Sequence, residues 1–346
     1  KPNLHFNTKL YTGNGSTQHS ITGVGFQPDW TWIKSRDNTY NHFVFDAVRG
    51  VGKQIYPNLT NTEGTNLNNL YSFDSDGFSL AQSGNDDVTN KNNSEFVSWN
   101  WKANGQGSAN TDGSINTTYT SVNTTSGFSI IKWTGTGSNG TIGHGLGVAP
   151  KVYIVKNLDS VGKWWFFPSF LNATNEYFDG FTSNGALQTD GNGLTNSTLP
   201  TNSVISVGTS STINTNGDNI ICYAFAEKKG FSKFGSYTGN GSTDGTFVYT
   251  GFKPAFVITK KTDSAENWYM KDNKRNEFNP VDDAVYANSS ASELSNWSGA
   301  TTDYLSNGFK IRTVDAAHNA SGGTYIYMAF AESPIVGSND TPATAR

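Results

Sequence analysis

Histidine and cysteine are the first side chains to consider for catalysis or metal binding. The five His residues lie at positions 5, 19, 42, 144 and 318, and Cys222 is the single cysteine. No two His residues have the close spacing of a metal-binding motif, and no second Cys could complete a thiolate site. Cys222 lies in the apolar run Ile220–Ala226. This position predicts a small buried side chain rather than a reactive thiol.

Carboxylate pairs and nucleophilic serines would indicate a hydrolase. Polysaccharide hydrolysis requires two carboxylates that face each other across a cleft. The sequence has neither a Glu-x-Asp-x-x-Glu strand nor a Gly-x-Ser-x-Gly elbow on a strand-to-helix turn. The glutamates considered are scattered and do not recur at fixed offsets: Glu63, Glu95, Glu176, Glu266 and Glu277. We therefore expect no catalytic residues and no enzyme activity.

One short acidic segment, Asp74-Ser-Asp76-Gly77, could contribute oxygen ligands to Ca²⁺. It is too short for an EF-hand loop and lacks the Glu that closes such a loop. We expect a hydrogen-bonded turn here and no cofactor, with Asp74 and Asp76 as a weak Ca²⁺ candidate.

Composition excludes several classes of partner. Charged residues make up 15% of the 346 residues and the net charge is −4, so no basic face for nucleic acid is expected. No run approaches the ~20 apolar residues that span a bilayer, so no membrane insertion is expected. Aromatic residues reach 13%, which allows a large core because each of these side chains buries much apolar area.

A repeat runs along the chain in a constant register. An aromatic-Thr-Gly-x-Gly-Ser motif begins at Tyr11, Trp133 and Tyr237. Sixteen residues after its Thr come Pro28, Pro150 and Pro254, and six residues further come Lys34, Lys156 and Lys260. We expect these lysines to be solvated at strand ends, paired with Asp46 or Asp272 where an acid is present. Asp46 and Asp272 lie twelve residues after the Lys and Arg49 and Arg275 lie fifteen after it, whereas copy two has Pro168 at the Asp position.

The repeat predicts three modules: residues 1–104 (module 1), 127–229 (module 2) and 230–336 (module 3). Residues 105–126 are rich in Gly, Ser, Asn and Thr and are interpreted as a linker with one strand at Thr117–Val122. Residues 337–346 are predicted to form a flexible tail.

Short β-branched and aromatic runs, often alternating and broken by Gly and Asn, predict an all-β fold. We expect three tandem antiparallel β-sandwich modules of the jelly-roll or lectin-like type, with a closed barrel as the alternative. The strand Trp164–Phe167 is apolar on both faces, because successive side chains of a strand point in opposite directions. One face is therefore core, and we expect the other to pack against a neighbouring module or chain. We also expect module 2 to be the one specialised for such packing, with a ligand platform as the alternative use of that face.

Three long segments resemble a family found widely in virion proteins of marine bacteriophages. They are Gly127–Lys151, Phe231–Gly245 and Gly323–Glu332, and the segments around Gly23–Lys34 and Trp99–Gly105 are similar to the first module of that family. The resemblance implies a tail-fibre-like or other virion surface protein. It implies no catalytic residues.

These observations together predict a structural and adhesion protein on the virion surface. It would bind a host-surface glycan or protein and other virion proteins, and self-associate, with a trimer as one form. Multiple copies on a particle would convert weak contacts into avidity. The candidate ligand contacts are Trp165, Tyr40, Arg36 and Trp297. The alternatives are a capsid decoration or head-fibre protein with a purely structural role, and a polysaccharide depolymerase.

Overall fold

The computed structural model of the chain describes residues 1–81, 88–191 and 193–334, and its regular structure is almost entirely β-strand. The predicted tail, residues 337–346, lies outside the described residues. A short helix, α1 (Ala316–Asn319), begins after Asp315, whose side chain accepts a hydrogen bond from the backbone N–H of Ala317. Short 3-10 turns lie at Pro2–Leu4, Ser169–Leu171, Gly180–Thr182 and Ser298–Ala300.

The strands are distributed over the three modules. Module 1 contains β1 (Phe6–Thr12), β2 (His19–Thr22), β3 (Trp30–Ser35), β4 (Phe43–Asp46), β5 (Lys53–Gln54), β6 (Gly64–Thr65), β7 (Ser72–Asp74), β8 (Gly77–Leu80) and β9 (Glu95–Trp101). Then come β10 (Thr117–Asn123), β11 (Phe128–Thr134), β12 (Gly140–Gly143), β13 (Val152–Asn157), β14 (Trp165–Phe167), β15 (Glu176–Tyr177), β16 (Gln188–Thr189), β17 (Val204–Val207) and β18 (Asn219–Phe225). Module 3 contains β19 (Ser232–Thr238), β20 (Phe247–Tyr249), β21 (Phe252–Lys261), β22 (Tyr269–Asp272), β23 (Val285–Tyr286), β24 (Thr302–Leu305), β25 (Gly308–Ile311) and β26 (Thr324–Pro334).

One strand order recurs three times. The large sheets run β1-β9-β3-β4, then β11-β18-β13-β14 with β10 added beside β11, and then β19-β26-β21-β22 with β23 added beside β22. A smaller sheet accompanies each one, in the orders β2-β8-β7, β12-β17 and β20-β25-β24. The strand pairs in these sheets are antiparallel. The predicted all-β class is therefore confirmed.

Residues 105–126 add to the sheet of module 2. The predicted strand at Thr117–Val122 is present as β10, which pairs with β11 through Asn123↔Phe128 and Thr120↔Ile131. Upstream of it, Ser108 bridges Thr120 and Ile115 bridges Ile142. The second half of this segment is consequently an edge strand and not a free spacer.

Inside each module the large and small sheets pack face to face. Alternate residues of the facing strands form the three sandwich cores, which include Ile33, Phe45 and Phe78 in module 1, Ile131, Val155 and Ile205 in module 2, and Val257, Tyr304 and Phe309 in module 3. These side chains are almost completely buried. The alternation follows from the period of two residues along a strand.

The opposite faces of the three large sheets pack against one another in a shared central core. Its members include Phe6, Trp30, Trp99, Tyr223, Phe225, Phe256, Trp268 and Phe330. Ring pairs connect every pair of modules, with centroid distances of 4.7 Å for Trp30–Tyr223, 5.4 Å for Phe6–Phe330 and 4.9 Å for Phe166–Trp268. Each large sheet is therefore covered on both faces.

Polar contacts across the central core repeat in one rotational direction. The Tyr223 hydroxyl of module 2 donates to Asp46 Oδ2 of module 1 at 2.6 Å. The Trp99 indole N–H of module 1 donates to Asp272 Oδ2 of module 3 at 3.1 Å. Tyr223 and Trp99 occupy the same position of the last strand in their modules. The modules are thus related by a pseudo-three-fold arrangement, from module 2 to module 1 and from module 1 to module 3.

A second set of contacts follows the same direction. Trp164 Nε1 of module 2 donates to the Tyr56 carbonyl of module 1 at 2.9 Å. His42, at the equivalent position of module 1, places Nε2 at 2.8 Å from the Tyr286 carbonyl of module 3. Because a carbonyl only accepts, Nε2 carries the proton, and Nδ1 accepts from Trp32 Nε1 at 2.8 Å. Burial lowers the pKa of His42 to about 3, so this imidazole is neutral.

The packing expected for the strand Trp164–Phe167 is confirmed. Trp164 and Phe166 lie in the central core, whereas Trp165 and Phe167 lie in the sandwich core of module 2. The expectation that module 2 alone is specialised for packing is wrong, because all three large sheets contribute to the central core.

Candidate functional site

The recurrent lysines are not solvated, contrary to the sequence-based expectation. Lys34, Lys156 and Lys260 are at most 1% exposed. Lys34 Nζ donates to the Ser35 carbonyl at 2.7 Å, and Lys156 Nζ donates to the Gly162 carbonyl at 2.9 Å. Burial lowers the pKa of all three lysines to about 8. Their recurrence therefore reflects a structural role at the edges of the central core.

The recurrent acids pair with arginines and not with lysines. Asp46 binds Arg49 Nε, and Asp272 binds Arg275 Nε at 2.6 Å, with all four side chains at most 1% exposed. Each guanidinium reaches one further acid, with Arg49 Nη1 at 3.3 Å from Glu63 and Arg275 Nη1 at 3.1 Å from Glu293. Glu63 and Glu293 thus have the same structural role, although they lie 29 and 33 residues after the repeated Lys and so do not recur at a fixed offset.

Three of the four predicted ligand contacts are used within the protein. Trp165 is 9% exposed, in the module 2 core, with its ring 5.1 Å from Tyr177. Arg36 Nη2 lies 2.8 Å from Glu293 Oε1, and this ion pair joins modules 1 and 3. Trp297 is half-buried and stacks on Tyr269 at 5.6 Å.

Tyr40 and the two acids of the Ca²⁺ candidate form hydrogen bonds within module 1. Tyr40 is half-buried, and its hydroxyl accepts from Lys91 Nζ at 2.8 Å. Asp74 accepts from Ser79 Oγ at 2.6 Å, and Asp76 accepts the backbone N–H of Gly25 at 2.6 Å. Asp74 and Asp76 thus close a turn, as expected. In the described part of the chain, no group of three or more His, Cys, Asp or Glu residues could hold a metal ion.

The clearest surface for a ligand is the outer face of the small sheet in module 3. Along β20, Val248 is 6% exposed and faces the sandwich core, while Phe247 and Tyr249 are 43% and 58% exposed. The backbone positions of Phe247 and Tyr249 are two residues apart along the strand, a spacing of about 6.6 Å. We call this face the aromatic platform, formed by Phe247, Tyr249 and the outward residues of β25.

The pairing of β20 with β25 fixes this geometry. Phe247 lies opposite Lys310, and Tyr249 lies opposite Gly308. A Cβ atom at Gly308 would come 2.1 Å from the Val248 carbonyl oxygen and 3.2 Å from Phe247 Cε2. Glycine is therefore required here, and its missing side chain lets the Phe247 ring lie close over the sheet.

Charged groups flank the aromatic platform. Lys310 Nζ lies 2.6 Å from Asp244 Oδ1, and Arg312 bridges Asp244 at 3.5 Å and Asp303 at 3.1 Å. The Lys310 ammonium lowers the pKa of the Asp244 carboxyl. This border offers both hydrogen-bond donors and acceptors beside two apolar ring faces, which is an arrangement suited to a polyhydroxylated ligand.

The aromatic platform is specific to module 3. Val248 corresponds to the buried Ile21 and Ile142 in the matching strands of modules 1 and 2. The outward positions beside them are Ser20 and Thr22 in module 1, and Thr141 and Gly143 in module 2. Phe247 and Tyr249 were not among the predicted ligand contacts. The signal that would have identified them is that they alternate with Val248 along the strand, at positions where the matching strands of modules 1 and 2 have small or polar residues.

No helix among the described residues is both long and apolar enough to cross a membrane.

Comparison with known proteins gives a family without an assigned activity. No curated protein was found to match the chain. A family model described as "Domain of unknown function (DUF7483)" matches residues 1–334. Since the match covers nearly the whole chain, the protein belongs to this DUF7483 family.

Proposed function

We propose that this protein is a non-enzymatic virion structural and adhesion protein of the tail-fibre type, which binds a host-surface glycan through the aromatic platform. The observation that carries the proposal is the pair of exposed rings, Phe247 and Tyr249, on an otherwise regular sheet. The resemblance of Gly127–Lys151 and Gly323–Glu332 to bacteriophage virion proteins supports the virion assignment.

The chemistry of the platform favours a sugar. Aromatic rings pack against the apolar faces of pyranose rings, and the carboxylates and cations at the border can bond to hydroxyl groups. Phe247 and Tyr249 lie on a strand paired over its whole length, so binding would cost little backbone entropy. A shallow surface of this kind gives weak single contacts, and many copies on one particle would supply avidity.

A glycan array on purified protein tests the proposal. The double variant Phe247→Ala/Tyr249→Ala is expected to lose the glycans that the wild type retains, with an unchanged melting profile because both rings are exposed. Phe278→Ala is the matched control, since Phe278 is 75% exposed and lies outside β20. Retention of the same glycans by the double variant would contradict the assignment of the site.

A purely structural role, as a capsid decoration or head-fibre protein, is the second candidate. The observation that favours it is the central core, which gives the three modules a fixed mutual arrangement. A wild-type protein that retains no glycan on the array, together with its location on the capsid by cryo-electron microscopy, would favour this role. Release of reducing ends from host polysaccharide would instead establish a depolymerase.

Self-association stays a prediction. The pseudo-three-fold core already covers, within one chain, the aromatic faces for which a partner was expected. Light scattering on the purified protein will give its mass, and a single-chain mass would remove the predicted homo-oligomer.

A further inference from the structure

A cavity of about 870 Å³ opens where module 1, the end of module 2 and module 3 meet, away from β20 and the aromatic platform. Its walls come from the N-terminal segment Lys1–Asn3, the junction Lys228–Phe231 and the strand end Ala331–Pro334. Asn273 and Lys274, in the turn after β22, also line it. A volume of this size accommodates a ligand of two or three sugar rings.

The cavity collects positive charge that the protein does not neutralise. Lys228, Lys229 and Lys274 all line it. Within the described ranges, none of these three ammonium groups forms an ion pair with a carboxylate. The acidic residue in the lining, Glu332, lies 3.6 Å from Lys253. Such a concentration of cations is notable in a chain whose net charge is −4.

The backbone that carries the three lysines is held firmly. The Phe231 N–H donates to the Lys228 carbonyl at 2.9 Å, and the Lys228 N–H donates to Ser232 Oγ at 3.0 Å. The Lys274 N–H donates to Asp272 Oδ1 at 2.9 Å, which ties this lysine to the buried Asp272–Arg275 pair. The lysine backbones therefore stay in place while their side chains adapt to a ligand.

The cavity also has an apolar floor. Phe231, Ala255 and Ala331 line it and are between 2% and 9% exposed. The His5 ring packs edge-on against Phe231, with their centroids 5.8 Å apart. A ligand that matches this wall has an apolar face as well as an anionic group.

We propose that this cavity binds an anionic saccharide, whose phosphate or carboxylate groups are held by Lys228, Lys229 and Lys274 and whose ring lies on the Phe231 side. Cations gathered in a concave site concentrate the field and attract an anion more strongly than scattered surface lysines do. The inference does not depend on the aromatic platform, because the two sites share no lining residue and use different chemistry.

Isothermal titration calorimetry will test the site with three probes: inorganic phosphate, tri-galacturonate and the neutral maltotriose. We expect tri-galacturonate or phosphate to bind, maltotriose to show no binding, and the affinity to fall at high salt because exposed charges are screened. The variant K228Q/K229Q/K274Q should lose at least about tenfold in affinity, because it removes all three cations from the wall of the cavity.

The matched control is K53Q/K132Q/K151Q, which removes the same charge from residues outside the cavity lining. It should bind as the wild type does. E332Q, which removes the acid from the wall, should tighten binding by a few-fold. Binding of phosphate alone identifies the anion as phosphate, and binding of tri-galacturonate alone identifies a carboxylate. No binding by either anion, or equal losses in the two triple variants, would overturn the proposal.

Discussion

Removal of the Tyr223 hydroxyl will show how much the polar contacts of the central core contribute to stability. In Tyr223→Phe the buried ring stays, while the 2.6 Å hydrogen bond to Asp46 is lost. A hydrogen bond to a charged group contributes about 1.5–3 kcal/mol, so we expect the free energy of unfolding to fall by about 2 kcal/mol. Asp46 keeps its pair with Arg49, so its carboxylate does not become an unpaired buried charge.

The control is Tyr237→Phe, which removes a buried hydroxyl that donates to a neutral acceptor, the His318 carbonyl, at 3.0 Å. That loss should be about 1 kcal/mol. Urea unfolding at neutral pH, followed by tryptophan fluorescence, will give both values. A loss in Tyr223→Phe no larger than in Tyr237→Phe would refute the reasoning about the charged acceptor. Since residues of all three modules form one core, a single cooperative transition is expected, and separate transitions would refute the shared core.

Three further predictions concern the edges of the central core. The pKa of Lys34 is about 8 in the folded chain, whereas the ordinary pKa of a lysine is 10.5. At a pH between these two pKa values, the unfolded chain therefore binds more protons than the folded chain. Stability should therefore rise as the pH increases from about 8 to 10.5, and Lys34→Met should show a smaller rise in the urea midpoint. Pro168→Asp places a carboxylate in a buried position, and Leu171 stands where modules 1 and 3 have the partner Arg. Thermal unfolding should therefore show a loss of about 3–5 kcal/mol in the free energy of unfolding. Arg36→Lys keeps the charge but not the planar fork that binds Glu293, and should cost about 1 kcal/mol in urea unfolding.

Each of these predictions has a contradicting result. A rise with pH in Lys34→Met equal to that of the wild type would show that Lys34 stays protonated throughout. Unchanged stability of Pro168→Asp would show that water reaches this position. No loss of stability in Arg36→Lys would show that the planar fork is not required, and no loss in Arg36→Ala would show that the ion pair does not stabilise the contact between the modules.

The strand pattern was predictable because it depends on local sequence. The alternation in Phe128–Trp133 and the strand at Thr117–Val122 correspond to β11 and β10. The double apolar character of Trp164–Phe167 also predicted cover on both faces. These features follow from the period of two residues along a strand, which needs no knowledge of the tertiary arrangement.

The arrangement of the modules could not be predicted from the same patterns. A repeated Lys looks the same in sequence whether it is solvated or buried, and the folded chain buries both Lys34 and Lys260, with Lys260 Nζ 5.5 Å from the ring centroid of Phe178 in module 2. The partners of Asp46 were also hidden, because Tyr223 lies 177 residues away. The aromatic platform was not predicted for a different reason. Phe247 and Tyr249 depart from the repeat, so the repeated residues give no indication of them.

The departure of module 2 from the repeat is explained by the pseudo-three-fold arrangement. In modules 1 and 3 an Asp–Arg pair receives a hydrogen bond from the last strand of another module, from Tyr223 or Trp99. The third member of the cycle would be module 2, where Pro168 and Leu171 stand at the Asp and Arg positions. The donor position of module 3 is occupied by Met328, whose side chain has no N–H or O–H to donate.

The Asp, the Arg and the donor of this contact are therefore all replaced by apolar residues, which are Pro168 and Leu171 in module 2 and Met328 in module 3. This is the outcome that electrostatics favours, because a buried ion pair exchanged whole for apolar side chains of similar volume costs little, whereas loss of one partner leaves a buried charge. Pro168 and Met328 are both buried and Leu171 packs against the central core. The irregularity that looked like divergence of one copy is thus a coordinated change across one contact of the cycle, and it indicates that the three modules have been fitted to one another as parts of a single core.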